Sequence, residues 1–232
     1  MRLNSWHELN TLALAGLPIL SGLWLATGVG VIGALTPGYS HIGQFMSVLG
    51  ASGGPLAAWV NYLVFIPAEI WLLAFLAVLN AQPPRSRSRR FSIVILATYA
   101  VLLMAAALLP CDTGCQAKDS GGNLSASSVH VAHMAISAIA YPLALIGLLP
   151  LGLAAHGTSL PRRLALPVTA LGTCLFLAII LIPDAQGLFQ RLLEALIYLQ
   201  IILLGRYEAS IAGLDLHGSA KCAPPAPRRL PS

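Results

Sequence analysis

The sequence predicts an all-α fold, a polytopic transmembrane bundle of six helices, and two properties of the chain support this. Of the 232 residues, 57% are hydrophobic and only 9% are charged, whereas a soluble domain carries about 25% charged residues. Apolar runs of about 20 residues also recur along the chain, and each is long enough to cross the hydrocarbon core as a helix. A helix suits that environment because it satisfies its own backbone polar groups.

Six apolar runs divide the chain. The predicted spans are residues 11–35, 56–80, 91–109, 129–155, 164–182 and 188–204. The first run is too long for the apolar core of a signal peptide, so we expect it to be retained. Residues 1–10 form a polar N-terminus and residues 11–207 the transmembrane domain. Residues 208–232 belong to a Pro- and Arg-containing stretch, which begins at Arg206 and is predicted to be disordered.

A short amphipathic interfacial helix is predicted after the first span, over residues 39–50. Ile42, Phe45, Met46 and Leu49 follow the spacing i, i+3, i+4, i+7, which places them on one helical face. Such a helix lies in the membrane interface or folds back over the bundle.

Basic residues are distributed unevenly between the two sides of the predicted bundle. Eleven Lys and Arg lie on the side that holds both termini and the loops at 81–90 and 155–163, against Lys118 and Arg191 on the other side. Because loops rich in Lys and Arg stay cytoplasmic, we expect an inner (plasma) membrane protein with both termini in the cytoplasm. The basic excess therefore reflects topology and not nucleic-acid binding, and no nucleotide-binding fingerprint occurs.

The loop after the third span, which we expect to face outward, contains Cys111 and Cys115 with three residues between them. In an oxidising compartment this pair predicts a disulfide. Metal ligation is the alternative, although zinc sites usually combine two such closely spaced sets and this chain offers one.

Two histidines open the fourth span at i, i+3 and so share a helical face. In one interpretation, His130 and His133 make interhelical hydrogen bonds to carboxylates. In the other they form a metal or general-base site with Asp112, in which zinc is the cofactor to test. His130, His133, Asp112 and Glu194 are the candidate catalytic residues, and the first three are the candidate metal ligands.

The sixth span carries Gln190, Arg191 and Glu194 near its outward end. Arg191 and Glu194 can pair at i, i+3, which would lower the cost of both charges in the membrane. The candidate ligand-binding residues on the outward side are His41, Gln44, Ser47, Gln190 and Arg191.

Glu69 is expected to lie deep within the second span. A carboxyl group there must be protonated, paired or in a water-filled cavity. Tyr62, seven residues earlier, is expected to share its helical face.

The chain contains four notable motifs: Gly-Tyr-Ser-His-Ile-Gly-Gln-Phe at 38–45, Pro-Cys-Asp-Thr-Gly-Cys at 110–115, a histidine on the fourth span, and Gly-Leu-Phe-Gln-Arg at 187–191. As a set they resemble domain-of-unknown-function family 998, bacterial integral membrane proteins without an assigned activity. The resemblance covers about residues 11–207. It implies a six-span membrane fold and implies no reaction.

A looser likeness is to membrane hydrolases of the alkaline-ceramidase type, which hold zinc with a Ser, an Asp and several His. Ser47, Asp112, His41, His130 and His133 would supply that set. Those proteins generally have seven spans and an HxxxH pair on the last, and the sixth span here has no histidine.

Two functions follow as the main hypotheses. The first is binding of a lipid or small ligand by the outward polar site. Membrane lipids are the expected partners, and a partner protein is the second option. The alternative is a metal-dependent hydrolase acting on a lipid. Haem binding is disfavoured because the spans hold no pair of axial histidines, and proton transport by Glu69 and Glu194 lacks an inverted repeat.

Overall fold

The computed structural model describes residues 2–83, 86–115 and 126–221, and side chains within residues 6–213 of these. Six long helices dominate the described chain, and each is long and apolar enough to cross a membrane, as predicted. They are α1 (Arg2–Leu35), α2 (Ala57–Ala81), α3 (Arg87–Leu108), α4 (Ser128–Leu153), α5 (Leu160–Leu181) and α6 (Gln186–Lys221).

The helices form a closed ring in chain order. Each packs mainly on its neighbours in sequence, and α6 packs back on α1. The connections at 36–56, 109–115 and 182–185 meet at one end of the bundle, which we call the site end. The α2–α3 and α4–α5 connections lie at the opposite end. Which end faces the cytoplasm stays a prediction from the distribution of basic residues.

The bundle core is apolar and fully packed near its centre. Leu14, Phe75, Leu96, Leu148 and Ile197 are essentially inaccessible, while many leucines and valines on the outer surfaces of the helices are exposed. Because lipid tails are as apolar as leucine, this outward-facing apolar surface is well accommodated by a bilayer. Polar side chains concentrate inside the ring, toward the site end.

The amphipathic helix predicted at residues 39–50 is reduced to a 3₁₀ helix, Met46–Gly50. Met46 and Leu49 are buried as predicted, but Ile42 is exposed. The reason lies in the preceding turn, where the carbonyls of residues 41 and 44 bond to α6 and not along a local helix. The segment folds back over the bundle, with turns at residues 41–43.

The first part of α2 is a π-helix, Val60–Phe65. A π-turn contains one extra residue, so the residues before it are rotated by about 100° relative to a continuous α-helix. The prediction that Tyr62 shares a face with Glu69 is therefore wrong: Tyr62 is 57% exposed and Glu69 is 2% exposed. The rotation buries Asn61 instead.

Both terminal helices extend beyond the predicted spans. α1 begins at Arg2, within the stretch predicted as a polar N-terminus. α6 continues to Lys221, through the first part of the predicted disordered tail. Its extension is tethered to the bundle, since Glu208 pairs with Arg89 and the Tyr207 hydroxyl accepts a hydrogen bond from the His156 N–H. The remainder of that tail, residues 222–232, lies outside the described residues.

Candidate functional site

The connections at the site end are joined by backbone hydrogen bonds. The Ser52 N–H donates to the Cys111 carbonyl at 2.8 Å, and the Leu188 N–H donates to the Ile42 carbonyl at 2.9 Å. Gly187 allows a very close approach, because a Cβ there would lie 2.1 Å from the carbonyl oxygen of Gln44. The segment of residues 39–50 is thereby fixed against the start of α6.

Cys111 and Cys115 are disulfide-bonded, which confirms the predicted pair. Cys111 is fully buried beneath residues 46–50. The Ser47 hydroxyl lies 3.6 Å from the Cys115 sulfur, so the disulfide packs directly on one of the candidate ligand-binding residues.

His130 and Asp112 belong to a hydrogen-bonded group of residues at the start of α4. Both carboxylate oxygens of Asp112 accept from Ser127, one from its N–H and one from its hydroxyl, each at 2.7 Å. These two hydrogen bonds are the main reason that the pKa of Asp112 is lowered. The Asp112 N–H donates to His130 Nδ1 at 3.3 Å, and that nitrogen lies 4.0 Å from the carboxylate.

His133 faces a different set of groups. Its Nδ1 lies 2.9 Å from the carbonyl oxygens of both Ala106 and Leu109. These carbonyls lie at the end of α3, where helical partners run out, so they are suited to accept a hydrogen bond from a proton on Nδ1. His133 also borders the interior cavity described below.

Of the three predicted metal ligands, His130 and Asp112 thus lie together, and His133 lies with other groups. Among the residues that the structure describes, the group whose ligand atoms lie within 4.8 Å of one another is Cys111, Cys115 and His133, without His130 or Asp112. Cysteine binds zinc as the thiolate, so this group fits a metal only when the disulfide is reduced.

Arg191 is held by neutral oxygens. Its Nη1 donates to the carbonyls of His41 at 2.8 Å, Gln44 at 3.0 Å and Gly187 at 2.7 Å, and its Nη2 bonds to the Tyr39 hydroxyl. The predicted pair with Glu194 is not formed. Within the described part of the chain, no carboxylate lies within 4.0 Å of this guanidinium, so its charge has no side-chain counterion.

The charge of Arg191 affects the pKa values of two neighbouring aromatic side chains, Tyr39 and His41. Partial burial and the nearby guanidinium both lower the pKa of His41, so at neutral pH its imidazole adds no second charge. Burial raises the pKa of Tyr39, against the opposing effect of Arg191. The two rings meet edge to face at 5.1 Å, and the His41 ring sits against Gly33, where a Cβ would lie 2.4 Å from it.

Glu194 lies at the centre of a buried hydrogen-bond network. The hydroxyls of Tyr99 and Tyr141 donate to its two oxygens, each at 3.0 Å. Gln190 Nε2 donates to the Tyr141 hydroxyl at 2.9 Å, and Gln190 Oε1 accepts from the Met46 N–H at 2.7 Å. Gln190 therefore links the segment of residues 46–50 to the network.

An interior cavity of about 60 Å³ lies beside this network. It is large enough to hold a few waters, since one water requires at least roughly 10–15 Å³. Its polar lining comprises Ser47, Asn61, Glu69, His133, Ser137, Tyr141, Gln190 and Glu194. Glu69 Oε2 is buried and has no hydrogen-bond partner among the described residues.

A groove of about 490 Å³ runs between α1 and α6 on the outside of the ring. Its walls are mostly apolar, and they include Leu25, Val29 and Gly30. Arg191 and His41 line it at the site end, and Glu194 lines it from the interior side. Two of the five candidate ligand-binding residues, His41 and Arg191, thus border the groove. Ser47 and Gln190 border the cavity instead, and the backbone carbonyl of Gln44 accepts a hydrogen bond from Arg191.

Sequence reasoning missed Asn61, which lines the cavity, and Tyr99, which donates to Glu194. A polar amide within an apolar span marks Asn61, but the face it occupies depends on the π-helix. Tyr99 gives no such signal, because tyrosine also occurs in ordinary apolar packing.

The fold and site define a multi-pass membrane protein with a buried polar network. Residues 19–207 match the family described as Protein of unknown function (DUF998), and the chain belongs to that family. This match supports neither the bacterial origin nor the likeness to alkaline-ceramidase-type hydrolases. No curated protein and no solved structure matches the chain.

Proposed function

We propose that this protein binds an amphiphile from the surrounding bilayer, with an apolar chain in the α1–α6 groove and an anionic head group beside Arg191. The observation that carries the proposal is the groove itself, whose apolar walls end at a guanidinium that has no carboxylate partner among the residues the structure describes. Its volume of about 490 Å³ falls in the range of ordinary small-molecule pockets, roughly 300–1,000 Å³.

Arg191 retains the capacity to bind a head group. A guanidinium has five N–H donors, and the three carbonyls occupy Nη1 while Tyr39 occupies one position at Nη2. The second Nη2 hydrogen stays available. Arginine is well suited to phosphate and carboxylate oxygens, so we expect anionic amphiphiles to be preferred over zwitterionic ones.

Gly30 allows the groove to be filled without disturbing the helices. It lines the groove, and a Cβ there meets nothing within 4 Å. Gly16 also meets nothing within 4 Å but does not line the groove. Gly30→Phe and Gly16→Phe therefore form a matched pair on the same helix.

The test is photolabelling of the purified protein in nanodiscs, using phosphatidylglycerol or phosphatidylcholine with a photoreactive acyl chain. Gly30→Phe should reduce labelling of α1 and α6 about tenfold, and Gly16→Phe should leave it unchanged. Arg191→Gln should remove the preference for phosphatidylglycerol. Equal labelling of the Gly30→Phe variant and the wild type would refute binding in the groove.

A metal-dependent hydrolase is the second candidate, favoured by the proximity of Cys111, Cys115 and His133. In the reduced protein these residues would hold zinc, which would supply activated water. Asp112 is already engaged by Ser127, so it supports this function less than the sequence suggested. Zinc content with and without reductant, in the wild type and in His133→Ala, separates the two candidates.

A further inference from the structure

We infer that the interior cavity binds one monovalent inorganic cation, a proton or a sodium ion, at Glu69 beside Glu194. This inference is independent of amphiphile binding, since it concerns the inside of the ring and not its outer groove. It rests on the different surroundings of the two buried carboxyl groups.

Both carboxyl oxygens of Glu194 have hydrogen-bond donors from the protein. Each accepts a hydrogen bond from a different tyrosine, Tyr99 or Tyr141. Gln190 orients one of the donors by binding the Tyr141 hydroxyl. The hydrogen-bonding capacity of Glu194 is thus met by neighbouring side chains.

Glu69 has no such support. The residue is 2% exposed, lines the cavity, and its Oε2 has no partner among the described residues. An unpaired buried polar atom calls for a water or an ion, and an ionised carboxyl at membrane depth requires a compensating charge. The residues that line the cavity include neither Lys nor Arg. A mobile cation bound at this oxygen would supply the compensating charge.

The other groups in the cavity suit a small, hard cation. Ser47 and Ser137 contribute hydroxyl oxygens. Asn61 uses its amide nitrogen to bind the Gly50 carbonyl at 2.9 Å, which leaves the side-chain oxygen as an acceptor. Oxygen ligands favour hard metal ions, while a proton would reside on Glu69 itself. Glu69 Oε2, which is unpaired among the described residues, offers one position for such a cation.

A recess on one side of the bundle adjoins the cavity. It has a volume of about 310 Å³, lies among α4, α5 and α6, and shares Ser47, His133 and Ser137 with the cavity.

Infrared difference spectroscopy of the full chain in nanodiscs tests the inference, with buffer pH and sodium chloride varied separately against choline chloride. A bound proton gives the C=O band of a protonated carboxylic acid, which disappears at alkaline pH whatever the sodium concentration. Bound sodium shifts the carboxylate bands at constant pH, with no shift in choline. Either response supports the inference, and the wild type showing neither would overturn it.

Variants assign the response to Glu69. Glu69→Gln should abolish it, and Glu69→Asp should keep a carboxyl band at an altered frequency. Exposed Glu8 provides the control, since Glu8→Gln should leave the response unchanged. A response that persists in a folded Glu69→Gln protein would overturn the assignment. Gly30→Phe should retain the cation response, so failure of amphiphile binding and failure of cation binding are distinguishable.

Discussion

Two arginines hold opposite ends of the bundle in different ways. Arg89, at the start of α3, forms a two-pronged ion pair with Glu208 of α6, at 2.7 and 3.1 Å, and also bonds to the Leu79 carbonyl. Arg191, at the site end, has carbonyls and a tyrosine hydroxyl but no carboxylate within 4.0 Å among the described residues. The charge of Arg89 is neutralised by a carboxylate, whereas that of Arg191 is held by neutral oxygens alone. The comparison separates an ion-paired arginine from one that is free to pair with an anion, as the proposed function requires.

The largest effect is expected from breaking the ion pair. Arg89→Met leaves Glu208, whose side chain is 11% exposed, without its partner, and removal of one member of a buried pair costs about 3–5 kcal/mol. The free energy of unfolding, measured by SDS titration in mixed micelles, should fall by that amount. The double variant Arg89→Met/Glu208→Met should recover most of the loss, because apolar replacement of both members is nearly neutral. A double variant as unstable as the single one would contradict a structural role of the pair.

A smaller effect is expected at the site end. Arg191→Met leaves carbonyls without donors but strands no opposite charge, so the same titration should show a loss of about 1–3 kcal/mol. Arg191→Lys should recover only part of it, since one ammonium group cannot span three carbonyls and the Tyr39 hydroxyl. The distinction between the two arginines would fail if Arg191→Met destabilised the protein as much as Arg89→Met.

The smallest effect is expected at Asp112, another charged group held by neutral partners. Ser127→Ala removes the N-cap of α4 and one hydrogen bond to the carboxylate, at a cost of about 1 kcal/mol. The pKa of Asp112 is lowered from its ordinary 3.8, so its stabilisation is present above that pH and is lost as the pH falls through the lowered pKa.

The difference in unfolding free energy between wild type and Ser127→Ala should therefore narrow in acid. A carboxyl ¹³C titration of Asp112 by NMR should show a higher pKa in the variant. An unchanged pKa would mean that the Ser127 hydroxyl does not hold the carboxylate.

The features predictable from the sequence are those set by local pattern. Apolar run lengths predicted the six spans, and close spacing in one loop predicted the bond between Cys111 and Cys115. Partner choice was not predictable where it depends on tertiary approach. Arg191 bonds to carbonyls, and not to Glu194, because Gly187 lets the backbone at Gln44 come close.

The π-helix is a second feature without a sequence signal. The spacing from Tyr62 to Glu69 is helical in the sequence, and one extra residue in a turn removes the relation. The buried position of Asn61, and with it part of the cavity, follows from that turn. Predictions of helical face are therefore weakest where the helix is irregular.

Glu194 borders both the outer groove and the inner cavity. Two ligands that touch opposite sides of one carboxylate group would be thermodynamically linked. If one ligand changes the affinity for the other, the second changes the affinity for the first by the same factor. An anionic amphiphile bound in the groove beside Glu194 would raise the affinity of the cavity for a cation. A single side chain would then make occupancy of the bilayer-facing groove sensitive to the ionic conditions at the far side of the helix.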